Sequence, residues 1–302
     1  MGLITERLDK ITTPDEEGIE ALYALFRSIK DYEIPIVRKS VYVGESFIRQ
    51  RNNVKGCRFT NISELSYPPA SMTKMGRANI DGNPLFYACS FPLEVNERNP
   101  IPRYTSVLET SNIIWDRNMS GIERATISRW KVVKELDLIA LPFIGEYSKP
   151  CSELIEVVKM WQLKCIGSIP KDALELMLYM AREIAKEFTE SWEYFKIANF
   201  VYYLLYMNMK TNDADGIIYP SVATQGAGLN VALKPCAVDN KLKFSNASIC
   251  HVVKRGNDAK VFTISDLIVD EYGLITYKDK KLEDDNSKDN YLELSKDLNF
   301  IN

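Results

Sequence analysis

The sequence has little of what metal sites and nucleophilic active sites usually need. It has one histidine, His251, and its six cysteines form no CxxC pair, so a structural zinc site is not expected. No serine lies in a GxSxG motif, the nucleophile elbow of many hydrolases, so a serine hydrolase is not expected either. The cysteines are scattered through the chain and are expected to be buried free thiols of a reducing compartment: Cys57, Cys89, Cys151, Cys165, Cys236 and Cys250.

The sequence also lacks a strong charge of one sign and a long apolar run. The net charge is −3, and acidic and basic residues are interspersed, so a nucleic-acid partner is not expected. No window approaches 18 uninterrupted apolar residues, and the first ten residues lack the apolar core of a signal peptide. We therefore expect a soluble, cytoplasmic protein without a membrane partner.

The remaining composition supports a full core, because 46% of the 302 residues are hydrophobic. Helical periodicity predicts an amphipathic helix over residues 14–31, and turn signals between short runs predict strands and ordered loops over 44–90. Two strands follow at 125–133 and 136–144. Three helices are predicted next, the third apolar nearly all round and so central: 154–163, 172–188 and 191–209. Strand signals then return at 229–233, 247–253, 260–264 and 274–277.

This order of elements predicts an α+β fold, because strands and helices are segregated rather than alternating. The expected architecture is a single domain over residues 44–277, with a mixed or antiparallel sheet and a helical segment. An N-terminal helical extension occupies residues 1–43, and it is expected to serve a partner or a dimer. Residues 278–302 are strongly charged and are expected to be a solvated, loosely held tail.

One candidate site lies in the stretch GRANIDGNPLFY, where Arg77 and Asn79 precede a turn and a short apolar run that ends at Tyr87. A guanidinium suits the bidentate recognition of a diphosphate, and Asn79 would bind a ribose or brace the loop. The alternative is an ordinary surface turn. Two further arginines, Arg49 and Arg51, fall in the same β-rich half; alone, they would be interpreted as solvated strand residues.

The second candidate site lies in DGIIYPSVATQGAGLN, where Ser221 follows a proline and precedes a loop with two glycines. Without a base beside it, Ser221 is expected to donate or accept a hydrogen bond within the loop. Glutamates in the chain are too many for composition to select one, and Glu94, Glu97, Glu109 and Glu123 all lie in a suitable region. Glu109 stands out because its context, TSVLET, is apolar and β-branched.

Six short motifs, in this order, resemble those of the RES family, which is named for an arginine, a glutamate and a serine. They are FIRQR at 47–51, GRAN at 76–79, GNPLFY at 82–87, TSVLE at 105–109, DGIIYPS at 215–221 and NVAL at 230–233. The resemblance covers residues 44–265. The stretch between Tyr87 and Glu109 is longer than is usual in the family, so Glu97 competes with Glu109 for the position of the family glutamate, and Glu109 has the better context.

The resemblance implies an ADP-ribosyltransferase-like fold and cleavage of the nicotinamide–ribose bond of NAD⁺, by hydrolysis or phosphorolysis. NAD⁺ would be the substrate, and neither a cofactor nor a metal is expected. The resemblance makes Glu109, Arg77 and Ser221 the catalytic residues. It assigns NAD⁺ binding to Arg49, Arg51, Asn79, Tyr87, Tyr219 and Asn230.

The resemblance also implies a toxin-like activity with a neutralising partner, an Xre-type antitoxin in related systems. Two other functions stay open at this point. One is ADP-ribosyl transfer to a macromolecule through the same site. The other is a non-catalytic interaction protein that keeps the scaffold.

Overall fold

A computed structural model describes residues 2–30, 33–91, 102–116, 118–141, 150–165, 169–186, 190–280 and 285–301. Its helices are α1 (Leu3–Lys10), α2 (Glu16–Ser28), α3 (Pro102–Thr110), α4 (Asn112–Trp115), α5 (Ser152–Cys165), α6 (Lys171–Glu183), α7 (Phe195–Tyr202), α8 (Pro235–Lys241) and α9 (Asp285–Ser295). Its strands are β1 (Val37–Val41), β2 (Ser46–Asn52), β3 (Phe86–Phe91), β4 (Gly121–Val132), β5 (Leu136–Ala140), β6 (Gly216–Pro220), β7 (Leu229–Leu233), β8 (Leu242–Arg255), β9 (Asp258–Val269), β10 (Ile275–Asp279) and β11 (Phe300–Ile301).

The chain folds into two compact units, each assembled from three separate stretches. The first unit comprises residues 1–42, 68–87 and 134–241, and the second comprises residues 43–67, 88–133 and 242–302. Each unit has its own strands and helices. Helices and strands both form large parts of the chain, with the main helical segment between β5 and β6, so the predicted α+β class is confirmed.

In the first unit, four strands lie in the order β1-β5-β6-β7. The β1/β5 and β6/β7 pairs are antiparallel, and β5/β6 is parallel. A parallel pair needs a long crossover, and here α5, α6 and α7 lie on the chain between its strands. Every residue of β6 and β7 is buried, as expected for strands covered on both faces.

In the first unit, α2, α5, α6 and α7 form where the sequence predicts helices, whereas α8 was not predicted. Helix α2 starts at an N-cap, Asp15, whose carboxylate accepts a hydrogen bond from the Gly18 amide at 2.8 Å. Its buried face includes Phe26, whose ring contacts Phe200 of α7 with a centroid separation of 5.3 Å. The predicted central helix at 191–209 is a 3₁₀ turn, α7 and a π-helical turn at Tyr203–Met207, and α7 is mostly buried.

The second unit takes β3 from Ala88 onwards, and its strands lie in the order β3-β2-β4-β8-β9-β10. Each neighbouring pair in this order is antiparallel. Strand β11 pairs in parallel with the start of β4. Strand β2 pairs with β4 only as far as Asn52 opposite Ala125, so β11 takes the part of β4 that β2 leaves unpaired. Helix α3 packs on β2, where Val107 joins an apolar cluster with Ile48 and Ile127.

Three expectations need correction. Residues 216–220 of the motif DGIIYPS form the buried strand β6, which is not among the predicted strands. Residues 285–301 are not a loosely held tail, because they form α9 and β11, and Tyr291 packs against an apolar cluster that includes Phe262. All six cysteines are free thiols, but Cys57 and Cys236 are exposed rather than buried.

Candidate functional site

The Asn79 side chain organises the GRAN turn in the first unit. It is buried, and its amide nitrogen donates hydrogen bonds to the carbonyls of Lys74 at 2.9 Å and Ile80 at 3.0 Å. The backbone carbonyl of Asn79 accepts a hydrogen bond from the Gly76 amide at 3.0 Å. The structure therefore places Asn79 in the second of its two predicted roles, bracing the loop.

The Tyr87 hydroxyl holds the GRAN turn within the first unit. It donates to Asn79 Oδ1 at 2.7 Å and accepts a hydrogen bond from the Ala78 amide at 2.9 Å. A side chain at Gly76 would disturb this arrangement, because a Cβ there would lie 2.8 Å from Asn79 Oδ1 and 3.3 Å from the Tyr87 hydroxyl oxygen. Two residues predicted from separate motifs, Asn79 and Tyr87, are therefore hydrogen-bonded to each other.

Arg77, half-buried in the same turn, is directed to the end of α6. Its Nη1 donates to the carbonyls of Ile184 at 2.6 Å and Lys186 at 2.7 Å. Its Nη2 lies 3.4 Å from the Tyr194 hydroxyl, and the guanidinium sits over the Tyr194 ring at 5.1 Å from the centroid. The carbonyls at the end of a helix carry partial negative charge, so this cation stabilises the last turn of α6.

Ser221 closes the turn that follows β6. It is fully buried; its amide donates to the Gly228 carbonyl, and its carbonyl accepts from the Gly226 amide, both at 2.9 Å. The hydroxyl accepts a weaker bond from the Thr224 amide at 3.3 Å. The turn needs Gly226, whose φ is +76°. Ser221 thus shapes the glycine-containing loop with both its backbone and its hydroxyl.

Tyr219 and Asn230 are brought together by strand register. They stand directly opposite each other in the β6/β7 pair, and both are buried. Side chains opposite each other in an antiparallel pair lie on the same face, with Cβ atoms about 5 Å apart. The motifs DGIIYPS and NVAL, separated by eight residues in the sequence, are therefore neighbours in space.

Arg49 and Arg51 belong to the second unit and share one face of β2. Arg49 Nε donates to the Leu65 carbonyl at 3.2 Å, and Arg51 Nη1 donates to the Glu64 carbonyl. Arg51 also lies over the Phe59 ring at 5.3 Å from its centroid. Burial lowers the pKa of Arg51, and the nearby Glu64 carboxylate acts in the opposite direction. Both arginines therefore bind carbonyls of the 3₁₀ turn Ile62–Leu65, which lies in the loop after β2.

Glu109 lies in α3, against the other face of β2. Side chains alternate between the faces of a strand, and Ile48 contacts Val107 of α3, so Arg49 and Arg51 project away from that helix. Glu109 is half-buried next to Cys89 of β3, and burial together with this carboxylate raises the pKa of the Cys89 thiol. The structure therefore does not place the predicted arginine pair and Glu109 on one face of the sheet.

The carboxylate of Glu123 is a buried polar centre that sequence analysis did not single out. It accepts hydrogen bonds from Ser111 Oγ at 2.5 Å, Asn52 Nδ2 at 2.9 Å and the Asn112 amide at 3.4 Å. Burial raises its pKa, although the bonds from Ser111 and Asn112 act against this shift. Asn52 also donates to the carbonyl of Thr110, so this network reaches the end of α3, the helix that carries Glu109.

A signal for Glu123 exists in the sequence. Glu123 lies two residues before Ala125 and four before Ile127, which are both buried on β4. Residues two apart in a strand share one face, so the glutamate faces the core with them. The competing glutamate, Glu97, lies outside the described residues, as does Glu94. The predicted choice between Glu97 and Glu109 stays a prediction.

The nine predicted residues are divided between the two units. Arg77, Asn79, Tyr87, Tyr219, Ser221 and Asn230 belong to the first unit, and Arg49, Arg51 and Glu109 belong to the second. Within the described parts of the chain, His, Cys, Asp and Glu side chains form no group of three that could hold a metal ion. No helix in those parts has the length and apolar character needed to cross a bilayer.

Comparison of the sequence with protein-family models, and with curated proteins, finds no match.

Proposed function

We propose that this protein degrades NAD⁺ by cleaving the bond between nicotinamide and ribose, using water or phosphate as the acceptor. The observation that carries the proposal is the order of the six RES-like motifs over residues 44–265. The contacts Asn79–Tyr87 and Tyr219–Asn230 support it, since each joins residues of two different motifs. An ADP-ribosyltransferase-like arrangement of the fold is part of the same proposal.

The chemistry of the reaction suits the residue types. Nicotinamide leaves as a neutral group, so the reaction needs little general acid catalysis. Positive charge develops on an oxocarbenium-like ribose, and a fixed carboxylate stabilises that charge. Glu109 is the proposed carboxylate. It is half-buried beside the apolar Val107 cluster, where it is less screened than on an open surface.

The remaining predicted residues have supporting roles in the proposal. Arg77 recognises the diphosphate. Its two bonds to the carbonyls at the end of α6 and its bond to the Tyr194 hydroxyl engage three of its five N–H donors. Tyr87 packs against a ring of the dinucleotide, and Ser221 and Asn230 orient the nicotinamide end. Because Arg49 and Arg51 point away from α3, the proposal does not pair them directly with Glu109 at the reacting ribose.

The experiment that tests the proposal follows NAD⁺ and its products by chromatography, with purified protein in a chelator and without added metal. Free nicotinamide should appear together with ADP-ribose if water is the acceptor, or with ADP-ribose-1″-phosphate if phosphate is. Radiolabel from the adenine half of NAD⁺ that becomes attached to protein would instead support ADP-ribosyl transfer. Unchanged NAD⁺ after long incubation at high protein concentration would count against the proposal.

A second candidate is a non-catalytic interaction protein. The observation that favours it is that the polar groups of Arg77, Asn79 and Ser221 all make hydrogen bonds within the chain. Such groups stabilise a fold without any ligand. NAD⁺ binding separates the two candidates, because a protein that merely retains the scaffold should show no saturable affinity for NAD⁺ or nicotinamide.

The toxin-like role follows from the same proposal. Loss of NAD⁺ harms a cell, so the proposed activity requires control, and an antitoxin of the Xre type is the proposed partner. A cytoplasmic location, where NAD⁺ is abundant, also belongs to the proposal. Co-expression should show whether such a partner restores growth to cells that make this chain.

A further inference from the structure

Residues 285–301 form a closing segment on one edge of the second unit, which we call the α9–β11 clasp. Its strand β11 pairs with the start of β4, and the Ile122 amide donates to the Asn299 carbonyl at 3.0 Å. A Cβ at Gly121 would collide with the Ile301 side chain, so the absence of a side chain lets the clasp lie close to β4. The clasp is therefore fitted to this edge of the sheet.

Polar side chains of β8 and β9 make hydrogen bonds to the clasp along α9 and just after it. Arg255 Nε donates to the Leu294 carbonyl at 3.0 Å, and its Nη2 donates to the Lys296 carbonyl. Lys260 Nζ donates to Asn290 Oδ1 at 2.9 Å. These groups are exposed at the rim, where each contributes modestly to stability.

The buried centre of the contact is His251 of β8. Its side chain is 6% exposed, and Nδ1 lies 2.9 Å from the hydroxyl of Tyr291 in α9. Its ring also meets Phe300 of β11 edge-on, at a centroid separation of 5.0 Å. Nε2 is enclosed and makes no hydrogen bond to the described residues. The chain's single histidine thus touches both elements of the clasp.

The groups around His251 favour its neutral form. On β4, Arg124 stands opposite His251 and lies over the Phe300 ring at 5.2 Å. On β9, the residue opposite is Phe262, and on α9 the titratable neighbour is Tyr291, whose pKa is raised by burial. Burial, and then the charge of Arg124, lower the pKa of His251 from 6.5 to about 4. A proton on His251 would add a second cation to this contact and would make both ring nitrogens N–H donors, of which Nε2–H has no acceptor among the described residues.

We propose that the α9–β11 clasp is released by acid, through protonation of His251, while the rest of the second unit stays folded. Release relieves the buried charge, because His251 regains water and the distance between its ring and Arg124 can increase. It also exposes the start of β4 and the apolar cluster of Ile122, Val253 and Phe262. An edge of this kind readily pairs with another extended segment.

The sign of the effect follows from the lowered pKa. The closed form binds the proton less well than the open form, so closure is favoured above the ordinary histidine pKa and weakens as pH falls from 6.5 towards 4. With an ordinary histidine in the open form, the opening equilibrium should rise about thirtyfold between pH 8 and pH 5. Above pH 7 the opening equilibrium of the clasp should not change with pH.

Amide hydrogen exchange of the full chain tests this proposal, with rates corrected for the intrinsic effect of pH. The reporters are the amide of Ile122 and those of α9, and the control amides are those of Val231 and Leu233 in β7, outside the clasp. At pH 5 the reporters should lose protection about thirtyfold while the controls keep theirs. The variants His251→Gln and His251→Phe cannot be charged, and in both the reporters should change less than about threefold.

Two variants keep the test informative if one of them folds poorly, because Gln retains a hydrogen-bonding group and Phe retains the aromatic contact with Phe300. The proposal would be overturned by wild-type reporters that stay protected at pH 5. Equal loss in wild type and in a folded uncharged variant would also overturn it, and so would a uniform loss that includes the β7 controls.

Discussion

At the scale of single residues, the sequence identified side chains that the structure uses, but mostly for folding. Asn79, Arg77 and Ser221 were singled out by motif, and each makes hydrogen bonds that hold a turn or a helix end. Motifs record which residue types recur together and do not separate a ligand contact from a brace. Glu123 was not selected because its importance comes from burial against Ser111 and Asn52, which are brought to it by the chain's tertiary fold.

The two roles of Arg77 can be separated by replacing it with alanine. Loss of its bonds to the end of α6 should lower the free energy of unfolding by about 1.5–3 kcal/mol. If it also binds the diphosphate, NAD⁺ affinity should fall about ten- to a hundredfold. Urea unfolding and NAD⁺ titration of the same preparation measure both. A stability loss with unchanged affinity would leave Arg77 a structural residue only.

The Tyr87 hydroxyl offers a sharper test of the GRAN turn. Tyr87→Phe keeps the ring but leaves Asn79 and the Ala78 amide without their shared partner, so it should cost about 1–3 kcal/mol of stability. The matched control is Tyr272→Phe, because Tyr272 is 78% exposed and its change should stay within about 0.5 kcal/mol. Similar values for the two variants in urea unfolding would contradict the bracing role.

Glu123 should make the stability of the protein depend on pH in a specific direction. A carboxyl whose pKa is raised on folding contributes stability that is present below its unfolded pKa and is lost as pH rises through the folded value. Glu123→Gln cannot ionise, so its stability relative to wild type should increase from about pH 4 to pH 7. Unfolding in urea at both pH values measures this difference. A relative gain by wild type over that range would contradict the assigned direction.

At the scale of elements, periodic patterns predicted α2, α5 and α6 but not the shorter helices α3, α4 and α8 or the elements near the end of the chain. Helices α2, α5 and α6 coincide with apolar residues at helical spacing, because one face of each is buried. Strand β6 was not among the predicted strands. It is a strand because Ile217 and Ile218 are buried between β5 and β7. Local signals cannot report such lateral pairing.

The segment 285–301 was also predicted to be less ordered than it is. Its charged composition predicts a solvated tail, yet Tyr291 and Leu294 pack on the second unit's apolar cluster. Three or four apolar side chains at the right positions are enough to dock a charged helix. The overall composition of the segment does not reveal them, because charged residues outnumber them. Strand β11 lies close to β4 where Gly121, more than 170 residues earlier, has no side chain, and no short sequence window contains both partners of this pairing.

At the scale of the whole molecule, the α+β class was predictable because strands and helices are grouped along the chain. The division into two units was not, since each unit combines three stretches that are remote in sequence. The candidate residues fall in both units. The sequence alone therefore showed the order of the motifs along the chain but not which of their residues lie in the same unit. Function at this scale depends on whether Glu109, rather than another glutamate, acts on NAD⁺.

Release of nicotinamide from NAD⁺ by wild type and by Glu109→Gln tests the central claim most directly. The amide keeps the shape of the side chain but removes the negative charge that is proposed to stabilise the developing cation. Wild type should release nicotinamide, and Glu109→Gln should turn over about a hundredfold more slowly with unchanged NAD⁺ binding and stability. Glu97→Gln, the matched control, should retain wild-type turnover. An inactive wild type, or near-normal turnover in Glu109→Gln, would contradict the account.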